Sequence, residues 1–210
     1  MSYLISFEGT EGVGKSTQVN LTLAWLRQQN YAAITTREPG GTALGQKIRQ
    51  ILLEPSDRAD LAELFLFMAD RVNHVQTLIL PNLAQGVIVL CDRFIDSTVA
   101  YQHYGRGLDL QMINGLNQIA TQGLIPKLTF WLDLEVETGL SRAKAVSAKL
   151  DQFEALDLPF HQRLRQGFAQ IAAAQPDRFM PIDASQTVEQ IQAHIQQTLI
   201  AYLPDMGFKF

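Results

Sequence analysis

One cysteine, Cys91, stands in 210 residues, so no disulfide can close within the chain. That excludes the disulfide scaffolds of small secreted domains and predicts a reducing compartment, the cytoplasm. Long apolar runs are also missing. None reaches the ~20 residues that a membrane-crossing helix needs. The amino terminus enters a strand-like run directly, without a basic-then-apolar signal segment. Charge is sparse at 18%, below the usual share of about a quarter. Positive charge is not in excess: the formal net charge is −4. A general nucleic-acid binder would be basic, so no polymer partner is expected, although one nucleotide in a local basic pocket is compatible. Repeats and low-complexity blocks are absent. What is present is apolar content of 47%, enough for a full core in one domain, residues 1–210, with at most a small insertion.

Residues Gly9-Thr10-Glu11-Gly12-Val13-Gly14-Lys15-Ser16-Thr17 carry the pattern G-x-x-x-x-G-K-[ST]. An apolar run, Leu4–Phe7, precedes it, and a helical pattern, Lys15–Gln29, follows. The glycines let backbone N–H groups converge on phosphate oxygens, and the helix adds its positive end. Lys15 then supplies a point charge to the outer phosphates and Ser16 a hydroxyl ligand for Mg²⁺. A plain glycine-rich turn would not need Lys-Ser after its last glycine. The dinucleotide-binding fingerprint fails, because Thr17 stands where its third glycine should be.

Strand and helix patterns alternate along the chain. Strands are predicted over Leu4–Phe7, Ala32–Thr36, Val87–Cys91, Leu128–Leu134 and Phe179–Ile182. Helices are predicted over Lys15–Gln29, Ala43–Leu53, Leu61–Ala84 with a kink at Pro81, Ser97–Tyr104, Leu110–Gln122, Val136–Ala148, Pro159–Ala174 and Val188–Tyr202. Leu21, Leu23, Ala24 and Leu26 give the first helix an apolar side. This alternation predicts an α/β fold: a five-stranded parallel sheet flanked by helices in three αβα layers, of the P-loop NTPase type. Ligands in such sheets bind beyond the carboxyl ends of the strands. That rule gathers the loops Gly9–Gly14, Arg37–Thr42, Asp92–Ser97 and Asp183–Gln186. The polar stretch Arg142–Glu154 reads as a lid.

Asp92 ends an apolar strand where nucleotide enzymes place the acid of a magnesium site, although an Asp there can also cap the next helix. Arg93 suits an anionic second substrate, and equally a salt bridge to a neighbouring acid. Arg37 opens the glycine loop at the same edge. Phe67 and Arg71 lie four apart on one helix face, a plane for a base and a guanidinium beside it. Taken alone, Phe67 reads as core, within Leu64-Phe65-Leu66-Phe67-Met68. Cys91 reads as a small core residue.

Together these residues resemble the thymidylate kinase family. The similarity rests on Phe7 to Thr17, on Thr36-Arg37-Glu38-Pro39-Gly40-Gly41-Thr42, on Phe67-Met68-Ala69-Asp70-Arg71, on Asp92-Arg93-Phe94, on Ala100-Tyr101-Gln102 and on Ile182-Asp183-Ala184-Ser185-Gln186. These pieces fall in family order over nearly the whole chain. The resemblance implies phosphoryl transfer from ATP to thymidine monophosphate (dTMP), giving dTDP for dTTP synthesis, with Mg²⁺ and in a homodimer packed through the long helices. It implies that Gly9 to Thr17, Arg142, Asp183 and Ser185 bind ATP, with Arg142 along adenine. It places Phe67 on thymine, Arg71 in hydrogen bond to it, Thr98 and Gln102 beside it, and Phe153 over it. Tyr101 would crowd the sugar 2′ position, and Glu11 would lie near the sugar and the metal. Arg37, Pro39 and Arg93 would line the acceptor phosphate site.

One departure bears on catalysis. Val13 means that the phosphate loop supplies no arginine, the bacterial pattern, in which the lid provides the cation. Here the lid has Gln152 where the family often has Arg, and Ser147-Ala148-Lys149 where it has Arg-Gly-Glu. Lys144 and Lys149 are the remaining candidates, and Lys149 is nearer Asp151 and Phe153. Two rival readings are another nucleotide or deoxynucleoside kinase, and a non-kinase nucleotide switch. A nucleoside acceptor would leave Arg37 and Arg93 surplus. A guanine switch would carry Asn-Lys-x-Asp, which the chain lacks.

Overall fold

The structure, a computed structural model, describes residues 3–146 and 152–205. Five parallel strands stand in the order β2-β3-β1-β4-β5: β1 Leu4–Glu8, β2 Ala33–Arg37, β3 Ile88–Asp92, β4 Leu128–Asp133 and β5 Phe179–Asp183. The chain reverses its direction of travel across the sheet at β1, so the crevice for a ligand opens at the end of β1. Four strands end on a charged residue that the apolar runs did not include: Glu8, Arg37, Asp92 and Asp183. A charged side chain is tolerated at the last ladder position because it hangs over the open carboxyl edge. Arg37 pairs in register with Asp92, and Asp92 with Phe7.

Helix α1 (Lys15–Gln28) and α9 (Val188–Asp205) cover one face of the sheet. There Ile5, Phe7, Leu26, Leu132, Ile195 and Leu199 form one core cluster. The buried face of α1 is Lys15, Gln18, Val19, Thr22 and Leu26, at i, i+3, i+4, i+7 and i+11. The apolar side predicted for α1 is corrected here, because Leu21 is exposed. Lys15 must point into the phosphate loop, and that fixes the rotation of the helix. Polar contacts then fill the seam with α9, from Gln18 Nε2 to the Val188 carbonyl and from the Thr22 hydroxyl to Gln192.

On the opposite face lie α3 (Asp60–His74), α5 (Ile95–Thr98) and α8 (Leu158–Ala174). The helix predicted over Leu61–Ala84 is α3, a π-bonded turn over Val75–Ile79, and α4 (Leu80–Ala84). The wider turn sits where Pro81 has no N–H for a carbonyl one turn back. A second π-bonded stretch, Val99–Gly105, continues α5. Helix α2 (Ala43–Leu53) packs on α3; α6 (Leu110–Thr121) lies against α3, and α7 (Val136–Val146) against α8. Cys91 is fully buried and its thiol donates to the Arg93 carbonyl.

Glu8 fastens the end of β1 to the chain leaving β3. Its Oε1 accepts from the Phe94 N–H at 2.8 Å and its Oε2 from the Ser97 hydroxyl at 2.5 Å. Burial, with Asp96 nearby, raises its pKa from 4.5 to about 7. A carboxyl whose folded pKa is raised stabilises fully below its unfolded pKa and loses that contribution as pH rises through the folded value. The melting temperature of the wild type therefore falls more steeply from pH 6 to pH 8 than that of Glu8→Gln. The differential is at most about 1.4 kcal/mol per pH unit. Parallel melting curves in the two proteins across that range would show that Glu8 stays ionised.

Candidate active site

Between β1 and α1 the chain turns through Gly9 at φ 140°, Gly12 at φ 68° and Gly14 at φ 92°. A side chain at Gly12 would be strained by that φ and would also collide, since a Cβ would stand 1.9 Å from the Gly139 carbonyl oxygen at the start of α7. Gly14 caps α1 without any side-chain acceptor, and no acid lies in the first turn. The first N–H groups of the helix are thus left for an anion. Lys15, almost fully buried, donates to the carbonyls of Gly9 at 3.1 Å and Thr10 at 2.6 Å. Burial lowers its pKa to about 8, with Arg93 adding to the fall and Asp92, Glu11 and Glu8 opposing it. The Ser16 hydroxyl donates to Asp92 Oδ2 at 2.6 Å. Asp92 is therefore turned towards the phosphate loop.

From this loop a cavity of about 270 Å³ runs across the carboxyl edge of the sheet towards α3. Lys15, Ser16, Arg37, Asp92 and Arg93 line its polar end, and Phe67, Arg71, Thr98, Tyr101, Gln102 and Phe153 the other, with Glu11 and Pro39 on the walls. Arg37 is exposed at the end of β2. Arg93 takes a left-handed backbone, φ 68°, an uncommon one for a residue with a side chain. Its guanidinium donates to the Gly9 carbonyl at 2.9 Å, Ser97 at 3.1 Å and Glu11 Oε1 at 3.0 Å, and lies over the Tyr101 ring. The Tyr101 hydroxyl donates to the same Glu11 oxygen. Burial pushes the Glu11 pKa up, but His161, Arg93, Lys15 and Tyr101 together hold it at about 2. Glu11 is thus a fixed negative charge inside a ring of cations and donors.

Arg71 is 2% exposed. Its Nε donates to Glu38 Oε2 at 2.7 Å, its Nη1 to Thr98 at 2.8 Å and Asn117 at 2.6 Å, and its Nη2 to the Phe94 carbonyl at 3.1 Å. Among the described residues four of its five N–H groups are engaged, and one on Nη2 is not. Glu38 also meets His74 Nδ1 at 2.9 Å, and His74 Nε2 meets the Thr36 hydroxyl at 2.6 Å. Phe67 packs against two of the core clusters and also borders the cavity. It is half-buried, its ring 6.0 Å from that of Phe153. Gln102 turns its amide N–H₂ to Glu63.

The residues expected beside adenine come together elsewhere. Arg142 Nη1 donates to the Ala184 carbonyl at 3.2 Å, in the loop after β5, where Asp183 accepts from the Ser185 N–H at 2.9 Å. Neither Arg142 nor the Asp183–Gln186 loop lines the cavity. Lys144 is exposed on α7 and stands apart from it as well. Lys149 lies outside the described residues. Gln152 is bonded to the chain after α2, through its N–H to the Leu53 carbonyl and its Oε1 from the Ser56 N–H. Sequence reasoning missed Glu38, Asn117 and His161. Glu38 stood inside a loop motif whose signal was its glycines, while Asn117 and His161 lie in helices with no motif of their own.

Comparison with known proteins gives a concordant result. The thymidylate kinase family profile matches residues 7–195. A thymidylate kinase of Nostoc punctiforme is 47% identical over 203 residues, spanning 95% of this chain and 96% of its own length. One of Synechococcus sp. strain JA-2-3B'a(2-13) is 51% identical over 200 residues, at 95% of each. The crystal structure of thymidylate kinase from Ehrlichia chaffeensis superposes with a TM-score of 0.78 at 35% identity, covering 94% of this chain and 98% of that one. With a profile match over most of its length and relatives this similar, the chain belongs to the thymidylate kinase family.

Proposed function

We propose that the protein transfers the γ-phosphoryl group of ATP to dTMP, giving ADP and dTDP. The observation that carries this is one cavity with a phosphate loop, Arg37 and Arg93 at one end and Phe67 with the single remaining N–H of Arg71 at the other. An oxygen of the dTMP phosphate attacks the γ-phosphorus, the bond to the β-bridging oxygen breaks, and ADP leaves. The attacking oxygen is already anionic, so no general base is needed, and catalysis rests on positioning and charge neutralisation. Loop N–H groups and Lys15 hold the donor phosphates, and Arg37 and Arg93 the acceptor phosphate. Phe67 stacks on thymine, and Arg71 donates to its 4-carbonyl. Arg142 and the Asp183–Gln186 loop flank adenine.

Ser16 and Asp92 are oxygen donors, the type a hard divalent cation selects, and would hold Mg²⁺. When bound, Mg²⁺ neutralises charge on the phosphate oxygens. Among the described residues no cluster of three or more His, Cys, Asp or Glu forms a metal cage. Residues 1–210 form one nucleoside-monophosphate-kinase-like domain with a lid at about 142–154, of the bacterial type without a phosphate-loop arginine. The dimer reading is supported by Leu44, Ile51, Leu61 and Phe65, which stand exposed on the packed pair α2 and α3. No described helix is long and apolar enough to cross a membrane, and the cytoplasm is the expected compartment.

A coupled assay with ATP and a panel of monophosphates tests the activity. Turnover of dTMP should exceed that of UMP, GMP and dCMP. The dCMP contrast is the sharpest, since its 4-amino group would face the Arg71 N–H donor to donor. Mispairing a buried polar group costs about 1–3 kcal/mol. Equal use of dCMP would remove Arg71 from base recognition, and an unchanged dTMP KM in a destabilised Phe67→Ala would return Phe67 to the core.

Lys15→Ala should abolish transfer while its circular dichroism stays that of the wild type. Among the described residues its ammonium bonds only to loop carbonyls, so the core does not depend on it. Near-normal turnover in a folded variant would sink the phosphate-loop assignment.

Charge spreading over the transferred group needs a cation beyond Lys15 and Mg²⁺. Arg142 is bonded to the loop after β5, which leaves Lys144 and Lys149, and Lys149 is preferred because it is nearer Asp151 and Phe153 in the chain. Lys149→Ala should lower kcat at least about tenfold, or about 1.4 kcal/mol, with dTMP KM little changed. Wild-type kcat in the Lys144→Ala/Lys149→Ala double variant would exclude a lysine in this role.

A further inference from the structure

His161 stands out because its chemistry has no other use in the fold. It is fully buried on α8, and its Nδ1 lies 3.4 Å from Glu11 Oε2. Among the described residues neither ring nitrogen makes a hydrogen bond, and neither does Glu11 Oε2. The other carboxylate oxygen, Oε1, accepts from both Arg93 and Tyr101. A buried polar group without a partner is unfavourable, and a phenylalanine or leucine would fill the same space. Two complementary groups, each unsatisfied, face one another just beyond good hydrogen-bond geometry. Such contacts in ligand-free enzymes are often long and tighten when substrate binds.

The backbone around His161 is held closely. At the end of the π-bonded stretch, a Cβ on Gly105 would stand 2.7 Å from the Phe160 ring. On α8, a Cβ on Gly167 would stand 2.5 Å from the Tyr104 ring. The two glycines let α8 press against the segment that carries Tyr101. Asp157 caps α8, accepting from the Phe160 N–H at 2.9 Å. The turn before that cap carries Phe153, which lines the cavity.

We infer that His161 is a positioning residue: it fixes the second oxygen of Glu11 and so couples helix α8, which follows the lid, to the acceptor side of the phosphate loop. This rests on the reading of the cavity as the dTMP site. With Oε1 alone held, the Glu11 carboxylate can swing about that contact and carry the Arg93 and Tyr101 groups with it. An N–H from His161 to Oε2 fixes the carboxylate plane. The effect belongs to the acceptor, because the contacts of Lys15 and Ser16 do not involve α8.

The test separates this role from packing. His161→Phe keeps the ring volume and removes the donor. It should leave melting temperature within a few degrees and ATP KM within about twofold, and lower kcat/KM for dTMP about tenfold. His161→Asn, which returns an N–H near the Nδ1 position, should recover most of the loss. In a Glu11→Ala background, dTMP affinity by calorimetry should no longer respond to His161→Phe. Should His161→Phe fail to fold, the comparison of His161→Leu with His161→Asn carries the same decision. Wild-type kinetics in the donor-less variant, equal losses for ATP and dTMP without rescue, or an undiminished effect without Glu11 each overturn the proposal. Turnover of dTMP by the wild-type enzyme tests the site reading independently of these variants.

Discussion

A guanidinium withdrawn from water must be met by acceptors on nearly all of its N–H groups, and Arg71 organises the acceptor side of the molecule around that demand. Glu38 reaches it from the loop after β2, the Phe94 carbonyl from the chain after β3, Thr98 from α5 and Asn117 from α6. Three separate segments, the loop after β2, the turn into α5, and α6, are therefore held to α3 through one side chain. Glu38 passes the constraint on to His74 and Thr36. Removing one partner of such a buried pair typically costs about 3–5 kcal/mol, because the other charge is left unpaired. Rigidity and recognition have the same origin here. Among the described residues the contacts that fix the guanidinium leave one N–H over, and in the proposed site that one donor would ask for one acceptor.

The donor side is built on a different principle. Its phosphate loop uses backbone N–H groups, so the sequence there must be permissive in conformation rather than rich in charge. Gly12 meets the first turn of α7 so closely that no side chain fits between them. Lys15 bonds to loop carbonyls, and burial brings its pKa to about 8, so a neighbouring polyphosphate would favour its charged form. Between the two sides, Glu11 and Arg93 form a hinge of charge. Arg93 touches the loop through the Gly9 carbonyl and the acceptor side through Ser97 and Glu11.

Much of this was legible in order. The phosphate-loop pattern placed Lys15 and Ser16, and the apolar run before Asp92 placed the acid beside Ser16. Alternating periodicities gave the five parallel strands, with ends displaced by a residue because a charged terminal residue stops an apolar run but not a ladder. The rotation of α1 was not legible: counting apolar letters favoured Leu21, whereas the lysine buried in the loop turns Gln18 and Thr22 inward. The two π-bonded segments were also invisible, since they share the periodic pattern of ordinary helices until packing and Pro81 select the wider turn.

The sequence by itself determined the alternation of strands and helices and the family motifs, and with them the groups expected to cradle phosphate, hold a metal and meet a base. Those signals are local, set by residue type and spacing along a few turns of chain. Only the tertiary structure decided which of these groups face one cavity, how many donors of Arg71 stay free, and that Arg142 lies with the loop after β5 instead. Such facts depend on residues far apart in the chain, as Asn117 is from Arg71 and His161 from Glu11. Burial presses most polar atoms to find a partner in space, and no spacing rule in one dimension records which partner that is.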